Sequence, residues 1–208
     1  MNEIVPRFEF RVFGHGFDAI EGRIRETAPC ESINESREIY LLDNEDCDRN
    51  VKIRGSRLEL KRLLERSEGL ERWEPAGVWA FPVDLGAIPG RLFPVAALAQ
   101  VSPFPAALTQ RELLNHIAPD SERSAPLYRA NIFKRRFRFT LQDCPVEIDH
   151  ILVNGAVIES IAIESQHAER VLSVRSALAM AQFENVAYPL AISRIMGIRP
   201  LPDEEDYE

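Results

Sequence analysis

The chain has 208 residues, of which 45% are hydrophobic and 28% are charged, so it can bury a sizeable core as one large domain or two small ones. Its formal net charge of -8 argues against nonspecific nucleic-acid binding, although a local basic pocket is compatible with a small anion. No apolar run approaches the roughly 18 residues that cross a bilayer, and the N-terminus lacks a signal-peptide pattern. We therefore expect a cytoplasmic protein without a membrane partner.

Strands with alternating apolar and polar residues are predicted for most of the first third of the chain. Residues 17–28 interrupt them with a short amphipathic helix, because Phe17, Ile20 and Ile24 recur at helical spacing. The Gly-Ser pair at 55–56 predicts a hairpin turn into the last of these strands, whose leucines also fit a helix. The predicted strands are residues 6–13, 37–43, 50–54 and 57–63.

The middle of the chain is rich in proline and aromatic residues. Residues 73–106 are therefore expected to form short strands, edges and loops, because proline cannot donate a hydrogen bond to a neighbouring strand. Thr109 and Glu112 have the spacing of a capping box and predict a short helix that ends near Pro119. Residues 120–126 are polar and predict a loop.

The last third of the chain is predicted to contain strands followed by two helices. In the predicted strand 127–141 the apolar phase shifts near Phe133–Arg135, which indicates a β-bulge. The pair Asn154-Gly155 is the strongest turn signal in the sequence and predicts a two-residue hairpin. This hairpin joins strands predicted at 145–152 and 156–164, and helices are predicted at 167–183 and 188–196.

Together these elements predict one α+β domain. About eight strands and about three or four helices, mostly antiparallel, favour a barrel or a strongly curved sheet with helices packed outside. We assign residues 1–198 to this domain. Residues 199–208 end in DEEDYE and are expected to form an acidic, disordered tail.

Several familiar signatures of metal, nucleotide and acyl chemistry are missing from the sequence. Cys30, Cys47 and Cys144 are widely spaced, so they fit neither a zinc site nor a disulfide framework and are expected to be reduced thiols. The four histidines lie far apart and carry no site. No P-loop, Rossmann glycine pattern or GxSxG occurs, so the chemistries built on those motifs are not indicated.

Charges at every second position are the most informative pattern in the chain. Because successive strand side chains point to opposite faces, each such segment has one apolar and one charged face. A barrel with its charged faces inward would gather cations that suit a polyanion and carboxylates that suit a hard metal ion. The cations are Arg11, Lys52, Arg54, Lys61, Arg136 and Arg138, and the carboxylates are Glu9, Glu59, Glu147, Asp149 and Glu164.

The order and spacing of these segments resemble the CYTH superfamily, the triphosphate tunnel metalloenzymes. That family begins with a strand of the form ExExK, and residues 7–11 read RFEFR, so Glu9 matches its second glutamate and Arg11 replaces its lysine. The resemblance spans residues 6–198. Its later strands are similar to residues 51–54, 58–61, 135–138, 146–149 and 162–164 of this sequence.

This resemblance implies a tunnel that binds a triphosphate and hydrolyses it with Mg²⁺ or Mn²⁺. It implies that Arg11, Lys52, Arg54, Lys61, Arg136 and Arg138 hold the phosphate groups. It also implies that Glu9, Glu147, Asp149 and Glu164 hold the metal, with Glu9 and Glu164 as catalytic residues that orient water.

Two departures from the family pattern affect the predicted metal site. Arg7 stands where the family has its first glutamate, and Ala162 replaces the first carboxylate of a strand that ends ExE. Two metal-binding carboxylates are therefore missing, and Arg7 places a cation at one of their positions.

These departures keep a second hypothesis open, a non-catalytic module that binds a phosphorylated ligand or a partner protein without turning it over. A third hypothesis is a two-layer domain with a wet outer face, whose basic residues would be scattered over the surface. For the first two we expect a small polyphosphate or phosphorylated ligand and no nucleic acid. The sequence does not indicate the oligomeric state.

Overall fold

The computed structural model describes residues 5–43, 46–88, 107–117 and 127–202. Within these ranges the chain forms eight β-strands and four α-helices. The strands are β1 (Arg7–Gly14), β2 (Ser32–Asp43), β3 (Arg49–Arg54), β4 (Arg57–Ser67), β5 (Leu70–Ala80), β6 (Leu127–Leu141), β7 (Cys144–Val153) and β8 (Ala156–Ser165). The helices are α1 (Asp18–Thr27), α2 (Gln110–His116), α3 (Ala168–Ala177) and α4 (Tyr188–Ile195), and a short 3-10 turn covers Leu85–Ala87.

All eight strands belong to one closed antiparallel barrel. Their order around the barrel is β1-β5-β4-β3-β2-β6-β7-β8, and β1 closes the sheet by pairing with both β5 and β8. The predicted antiparallel barrel of about eight strands is therefore confirmed. None of the described helices is both long and apolar enough to cross a membrane.

The outer face of the barrel is apolar and covered. On one side, residues of β1, β6, β7 and β8 such as Phe10, Phe139 and Ile148 form a core with Ile24 of α1 and Val171 of α3. On the other side, residues of β2, β3 and β4 form a second core with the 3-10 turn and α2. Because helices bury the apolar outer face, the charged residues of the alternating strands are left to face inward.

The interior changes from charged to apolar along the barrel axis. Residues that face inward at one end, including Leu42, Ile132 and Val153, pack with Tyr188 and Ile192 of α4. Helix α4 and this apolar cluster therefore fill one end of the barrel. The charged cavity occupies the interior between this cluster and the other end.

Strand β6 contains no bulge. Its pairing with β2 and its pairing with β7 both run without a register shift, so the bulge predicted near Phe133–Arg135 is wrong. The apolar residues of β6 change from the inward face to the outward face for a different reason. Ala130 and Ile132 face the apolar end of the interior, whereas Phe137 and Phe139 lie on the outer face beside α1.

The proline-rich segment contains one long strand, contrary to the prediction of short strands over residues 73–106. Strand β5 continues through Pro75, which lies beside a register shift between Leu60 and Lys61 of β4, where a strand tolerates proline. Similarly, α3 ends at Ala177 and not near residue 183. Residues 89–106, the predicted loop 120–126 and the end of the predicted tail, 203–208, lie outside the described residues.

Candidate functional site

The barrel encloses a charged cavity with a volume of about 220 Å³. Among the described residues, seven cationic and four carboxylate side chains line it, together with Tyr40, Asn50, Trp73, Ala187 and Tyr188. The cationic side chains are those of Arg11, Lys52, Arg54, Lys61, Lys134, Arg136 and Arg138, and the carboxylates are those of Glu9, Glu59, Glu147 and Glu164.

The barrel therefore brings together all six cations that the sequence analysis assigned to phosphate binding. Of the four predicted metal ligands, three line the cavity, and Asp149 is fully buried immediately behind its wall. This convergence excludes a two-layer domain with basic residues scattered over its surface. The roles of these residues in phosphate or metal binding stay predictions.

Strands β3 and β4 supply a basic wall. Lys52 Nζ lies 3.2 Å from Glu38 Oε2, and Arg54 Nη2 lies 3.0 Å from Glu59 Oε2. Lys61 also faces the cavity but has no ion-pair partner within the described part of the chain. One cation of this wall is therefore available to an incoming anion.

Arg11 lies at the centre of the carboxylate cluster. Its Nε donates to Glu9 Oε1 at 2.6 Å, and its Nη1 donates to Asp149 Oδ2 at 3.2 Å. Its Nη2 lies 3.4 Å from Glu147 Oε2 and 3.9 Å from Glu164 Oε1. All four predicted metal ligands thus surround one guanidinium group, whose side chain is only 3% exposed.

The segment that leads into α4 holds Arg11 in place. Arg11 N donates to Asn185 Oδ1 at 2.7 Å, and Val186 N donates to Arg11 O at 2.7 Å. The Tyr188 ring lies under the guanidinium, with its centroid 4.8 Å from Arg11 Cζ. The position of the guanidinium is therefore fixed through both its backbone and its side chain.

Arg136 and Arg138 contact the cluster from the neighbouring strand β6. Arg136 Nε donates to Asp149 Oδ1 at 2.9 Å, and Arg136 Nη1 lies 3.1 Å from Glu147 Oε1. Arg138 Nη2 lies 3.3 Å from the same Glu147 oxygen, but its side chain is 52% exposed. Arg135, between them in sequence, points to the outer face and pairs there with Glu35.

Lys134, Glu38 and Tyr188 are among the residues that the sequence analysis did not assign to this site. Lys134 Nζ lies 3.2 Å from Glu38 Oε2 and 4.2 Å from the centroid of the Tyr188 ring. The hydroxyl of Tyr188 donates to Asp149 Oδ2 at 2.7 Å. Lys134 stands two residues before Arg136, so strand alternation places both side chains on the inward face. The bulge that was wrongly predicted near Phe133–Arg135 interrupted this alternation.

Burial and neighbouring charges shift the pKa values of these groups in different directions. Burial acts to raise the pKa of Glu9, but Arg11 and Lys61 outweigh it, so the pKa is lowered. The pKa of Glu164 is raised by burial and by Glu9, its partner across the β1–β8 pairing. Burial also acts to raise the pKa of Asp149, but Arg136, Lys134 and Arg11 hold it well below its usual range.

Glu38 and Lys134 are a second buried pair with shifted pKa values. Burial opposes ionisation of Glu38, but Lys134 and Lys52 lower its pKa to about 2. Burial lowers the pKa of Lys134 to about 7, although Glu38 acts in the opposite direction. Glu38 is therefore ionised at neutral pH, whereas Lys134 changes its charge near neutral pH.

The arrangement around Arg11 does not fit a divalent metal. Mg²⁺ and Mn²⁺ need several carboxylate or other oxygen ligands directed at one point. Here the oxygens of the four predicted ligands are directed at the Arg11 guanidinium, which would share that point with the metal. No group of three or more His, Cys, Asp or Glu side chains suitable for a metal ion occurs among the described residues.

No protein-family model matches the sequence, and no curated protein sequence matches it. Several solved structures have similar backbones. A proposed adenylyl cyclase from Hippeastrum, HpAC1, with a dominant triphosphatase activity, is 13% identical, with a TM-score of 0.49 over 95% of this chain and 99% of that one. A proposed adenylate cyclase from Bacillus halodurans is 12% identical, with a TM-score of 0.47 over 91% of this chain and 97% of that one. The mimivirus capping enzyme triphosphatase is 9% identical, with a TM-score of 0.42 over 85% of this chain and 89% of that one.

The closed antiparallel barrel that the CYTH resemblance implies is present in the structure. At 9% to 13% identity and TM-scores below 0.5, these similarities carry no argument about ligand or activity, so what the barrel binds is inferred from its own side chains. Those side chains depart from the family pattern at the metal site. Arg7 Nη1 lies 3.6 Å from Glu164 Oε2, so both arginines of the RFEFR strand face the predicted ligands.

Proposed function

We propose that the cavity binds a small polyphosphate or the phosphate groups of a small molecule, and that it does so without a divalent metal. The supporting observation is the convergence of seven basic side chains on one cavity. Lys61 makes no ion pair with a described residue, and the side chains of Arg54 and Arg138 are 45% and 52% exposed. Four carboxylates line the same space, and Glu38 and Asp149 lie buried against it, so these accessible cations, and not a net surplus of positive charge, favour an anionic ligand.

The chemistry of the lining favours phosphate. Arginine donates two parallel hydrogen bonds to phosphate oxygens, and lysine adds a compact charge. Arg54, Arg138 and Lys61 face the cavity and retain donors that the described carboxylates do not fully occupy. The volume of about 220 Å³ lies below the range of about 300 to 1,000 Å³ typical of sites for drug-sized ligands, so it suits a few phosphate groups better than a whole nucleotide.

Binding is favoured over metal-dependent hydrolysis because of Arg11. The hydrolytic hypothesis uses Glu9, Glu147, Asp149 and Glu164 to hold a metal ion. These carboxylates are within 3.9 Å of a buried guanidinium, and Arg7, Arg136 and Arg138 pair with three of them as well. The second hypothesis drawn from the sequence, a non-catalytic module, agrees better with this geometry.

Isothermal titration calorimetry with tripolyphosphate tests the proposal. We expect saturable binding in EDTA, with an affinity that Mg²⁺ or Mn²⁺ does not increase, and no phosphate release over hours. Absence of binding in EDTA would contradict the proposal. Phosphate release that requires a metal and is lost in Glu164→Gln would instead support the hydrolytic hypothesis.

Replacing Lys61 is predicted to weaken this binding with only a small loss of stability. Lys61→Met removes a cavity cation that makes no ion pair with a described residue, although its charge helps to lower the pKa of Glu9. A charge-assisted hydrogen bond contributes about 1.5 to 3 kcal/mol, so we expect the affinity for tripolyphosphate to fall by about tenfold or more.

Arg135→Met is the matched control, because it removes one positive charge from the outer face of the same barrel. Calorimetry and thermal unfolding of both variants provide the measurement. Equal loss of affinity in the two variants would indicate a nonspecific charge effect and not a ligand in the cavity.

A further inference from the structure

All three lysines of the chain line the barrel cavity. The sequence contains Lys52, Lys61 and Lys134 as its lysines, against twenty-two arginines. The lysines lie on three different strands, β3, β4 and β6, and each faces the cavity, whereas four of the arginines are among the described lining residues. Both residue types supply positive charge, but the lysine amine can also lose its proton and act as a nucleophile. This distribution favours a role for the amine itself.

Two of these amines share one carboxylate oxygen. Lys52 Nζ and Lys134 Nζ each lie 3.2 Å from Glu38 Oε2, and Arg54 Nη1 lies 3.6 Å from the other oxygen of Glu38. Lys52 and Arg54 also contact Glu59, whereas Glu38 is the carboxylate paired with Lys134 in the described chain. One carboxylate balances one positive charge, so the neighbouring cations favour loss of the Lys134 proton.

Lys134 is the most buried of the three lysines. Its side chain is 3% exposed, against 12% for Lys52, and its Nζ lies 4.2 Å from the centroid of the Tyr188 ring. Burial lowers its pKa to about 7, so about half of the amine is uncharged at neutral pH. An ammonium group has three N–H donors, whereas a protonated imine has one, which Glu38 alone can accept. The site therefore suits a protonated imine better than an ammonium group.

We propose that the cavity takes a small phosphorylated aldehyde or ketone, and that Lys134 binds its carbonyl carbon covalently as a reversible Schiff base. This inference rests on the proposed function, because cations of the same cavity hold the phosphate group. Arg54, Lys61 and Arg138 face the cavity with donors available to that group. The volume of about 220 Å³ suits a compound of a few carbon atoms that carries a phosphate.

Formation of the Schiff base needs no oxidant or reductant. The lone pair of Lys134 Nζ forms a bond to the carbonyl carbon, and the π electrons of the carbonyl move to its oxygen. The two protons of the amine leave with this oxygen as water when the C–O bond breaks, which gives a neutral imine. Protonation of the imine nitrogen by solvent gives an iminium whose positive charge lies beside Glu38. Addition of water reverses these steps.

Reductive trapping with glycolaldehyde phosphate tests the proposal. Cyanoborohydride reduces an iminium to a stable secondary amine, and mass spectrometry of peptides identifies the modified lysine. We expect Lys134 to be modified at neutral pH at least about tenfold faster than Lys52 or Lys61, since burial and cationic neighbours keep its amine partly neutral. No lysine outside the cavity competes for the reagent.

Glycolaldehyde without the phosphate is the matched reagent control. We expect it to modify Lys134 at least about tenfold more slowly, because a bound phosphate group holds the carbonyl beside the amine. An excess of tripolyphosphate should suppress modification by glycolaldehyde phosphate, because it occupies the same cations. Equal rates with the two aldehydes would overturn the proposal.

Lys134→Met is the variant control, since it removes the amine and keeps an unbranched side chain. We expect the trapped product to be lost in this variant, with its fold checked by circular dichroism. An undiminished yield of trapped product would count against Lys134. Preferential modification of Lys52 or Lys61 in the wild type would also overturn the proposal, and that result does not depend on the folding of any variant.

A failure of this inference is distinguishable from a failure of the proposed function. Binding of tripolyphosphate in EDTA without modification of Lys134 would overturn the Schiff base and leave the phosphate site in place. Absence of both binding and modification would overturn both.

Discussion

Lys134 is an ammonium group to which solvent has almost no access. Its side chain is 3% exposed and is held between Glu38 and the Tyr188 ring. Burial favours the neutral amine, which lowers the pKa to about 7, and the attraction to Glu38 restores only part of the loss. The charge on the inner wall of the barrel therefore depends on pH near neutrality.

This shift predicts a specific dependence of stability on pH. In the unfolded chain lysine has a pKa near 10.5, so between pH 7 and 10.5 the unfolded state binds a proton that the folded state does not. The free energy of unfolding of the wild type should therefore rise with pH across this interval, relative to Lys134→Met, by on the order of 1 kcal/mol per pH unit. Below about pH 7 the difference should become constant.

Urea unfolding of both proteins from pH 6 to pH 10 measures this difference. Other groups that titrate in this range are common to the two proteins and cancel. A difference that stays the same from pH 7 to pH 10 would show that Lys134 is fully charged throughout and that its burial does not lower its pKa.

At the scale of the secondary-structure element, helix α4 connects the apolar end of the barrel to its charged cavity. Its first residue, Tyr188, stacks on Tyr40 with ring centroids 5.5 Å apart and donates its hydroxyl hydrogen to Asp149. Pro189 follows at the first turn, where the missing N–H has no helical partner in any case. The start of the helix thus packs into the apolar end of the barrel, and its Tyr188 hydroxyl donates a hydrogen bond to the carboxylate cluster.

Removing that one donor is expected to destabilise the fold. Tyr188→Phe keeps the ring but leaves a buried, ionised Asp149 with one hydrogen bond fewer, which costs about 1 to 3 kcal/mol. Tyr40→Phe is the control, because the Tyr40 hydroxyl has no hydrogen bond to the described residues although its ring is equally buried. Equilibrium unfolding in urea measures both variants, and equal losses would indicate that the hydrogen bond contributes nothing.

The elements were predicted best where residue type and spacing act locally. The alternation in β1, β3 and β7, the hairpin turn at Asn154-Gly155 and the capping box of α2 all depend on residues a few positions apart, and the structure agrees with each. Predictions failed where distant strands decide the outcome. The apolar phase of β6 reverses because one end of the barrel interior is apolar, which no local pattern in β6 distinguishes from a bulge.

The site was predicted in the same uneven way. Alternation placed Arg11 and Glu9 on the inward face. The four carboxylates stand at positions 9, 147, 149 and 164, and a sequence does not give the spatial distances between them. Only the closed barrel shows that all four meet at Arg11. Glu38 was missed because the charges of β2 stand at positions 35, 37, 38 and 43 and follow no period of two.

At the scale of the whole molecule, the barrel is not equally strong around its circumference. Strand β1 pairs with β8 from Phe8 to Gly14 but with β5 only from Arg7 to Glu9, and the pairing of β5 with β4 contains two register shifts. Strand β7 pairs with both of its neighbours along its length and without a register shift. Strand β5 is therefore held by less continuous pairing than β7.

Hydrogen exchange is therefore expected to be faster in β5 than in β7. Local opening exposes amides with a free energy that reflects the contacts broken, so the strand beside the short seam should open first. Exchange followed by mass spectrometry, comparing peptides that cover residues 70–80 with peptides that cover 145–153, provides the measurement. Equal protection in the two strands would mean that the barrel opens only by global unfolding.

The filling of one end of the barrel by α4 has a consequence for the kind of molecule that can be recognised. Among the described residues, α4 and the apolar cluster close this space at one end, so a linear polymer would enter it by a terminus and would not thread it. If the occupant is a polyphosphate, affinity should be set by its last few units and be nearly independent of total chain length. The amount bound would then depend on the number of chain ends and not on the number of phosphate units.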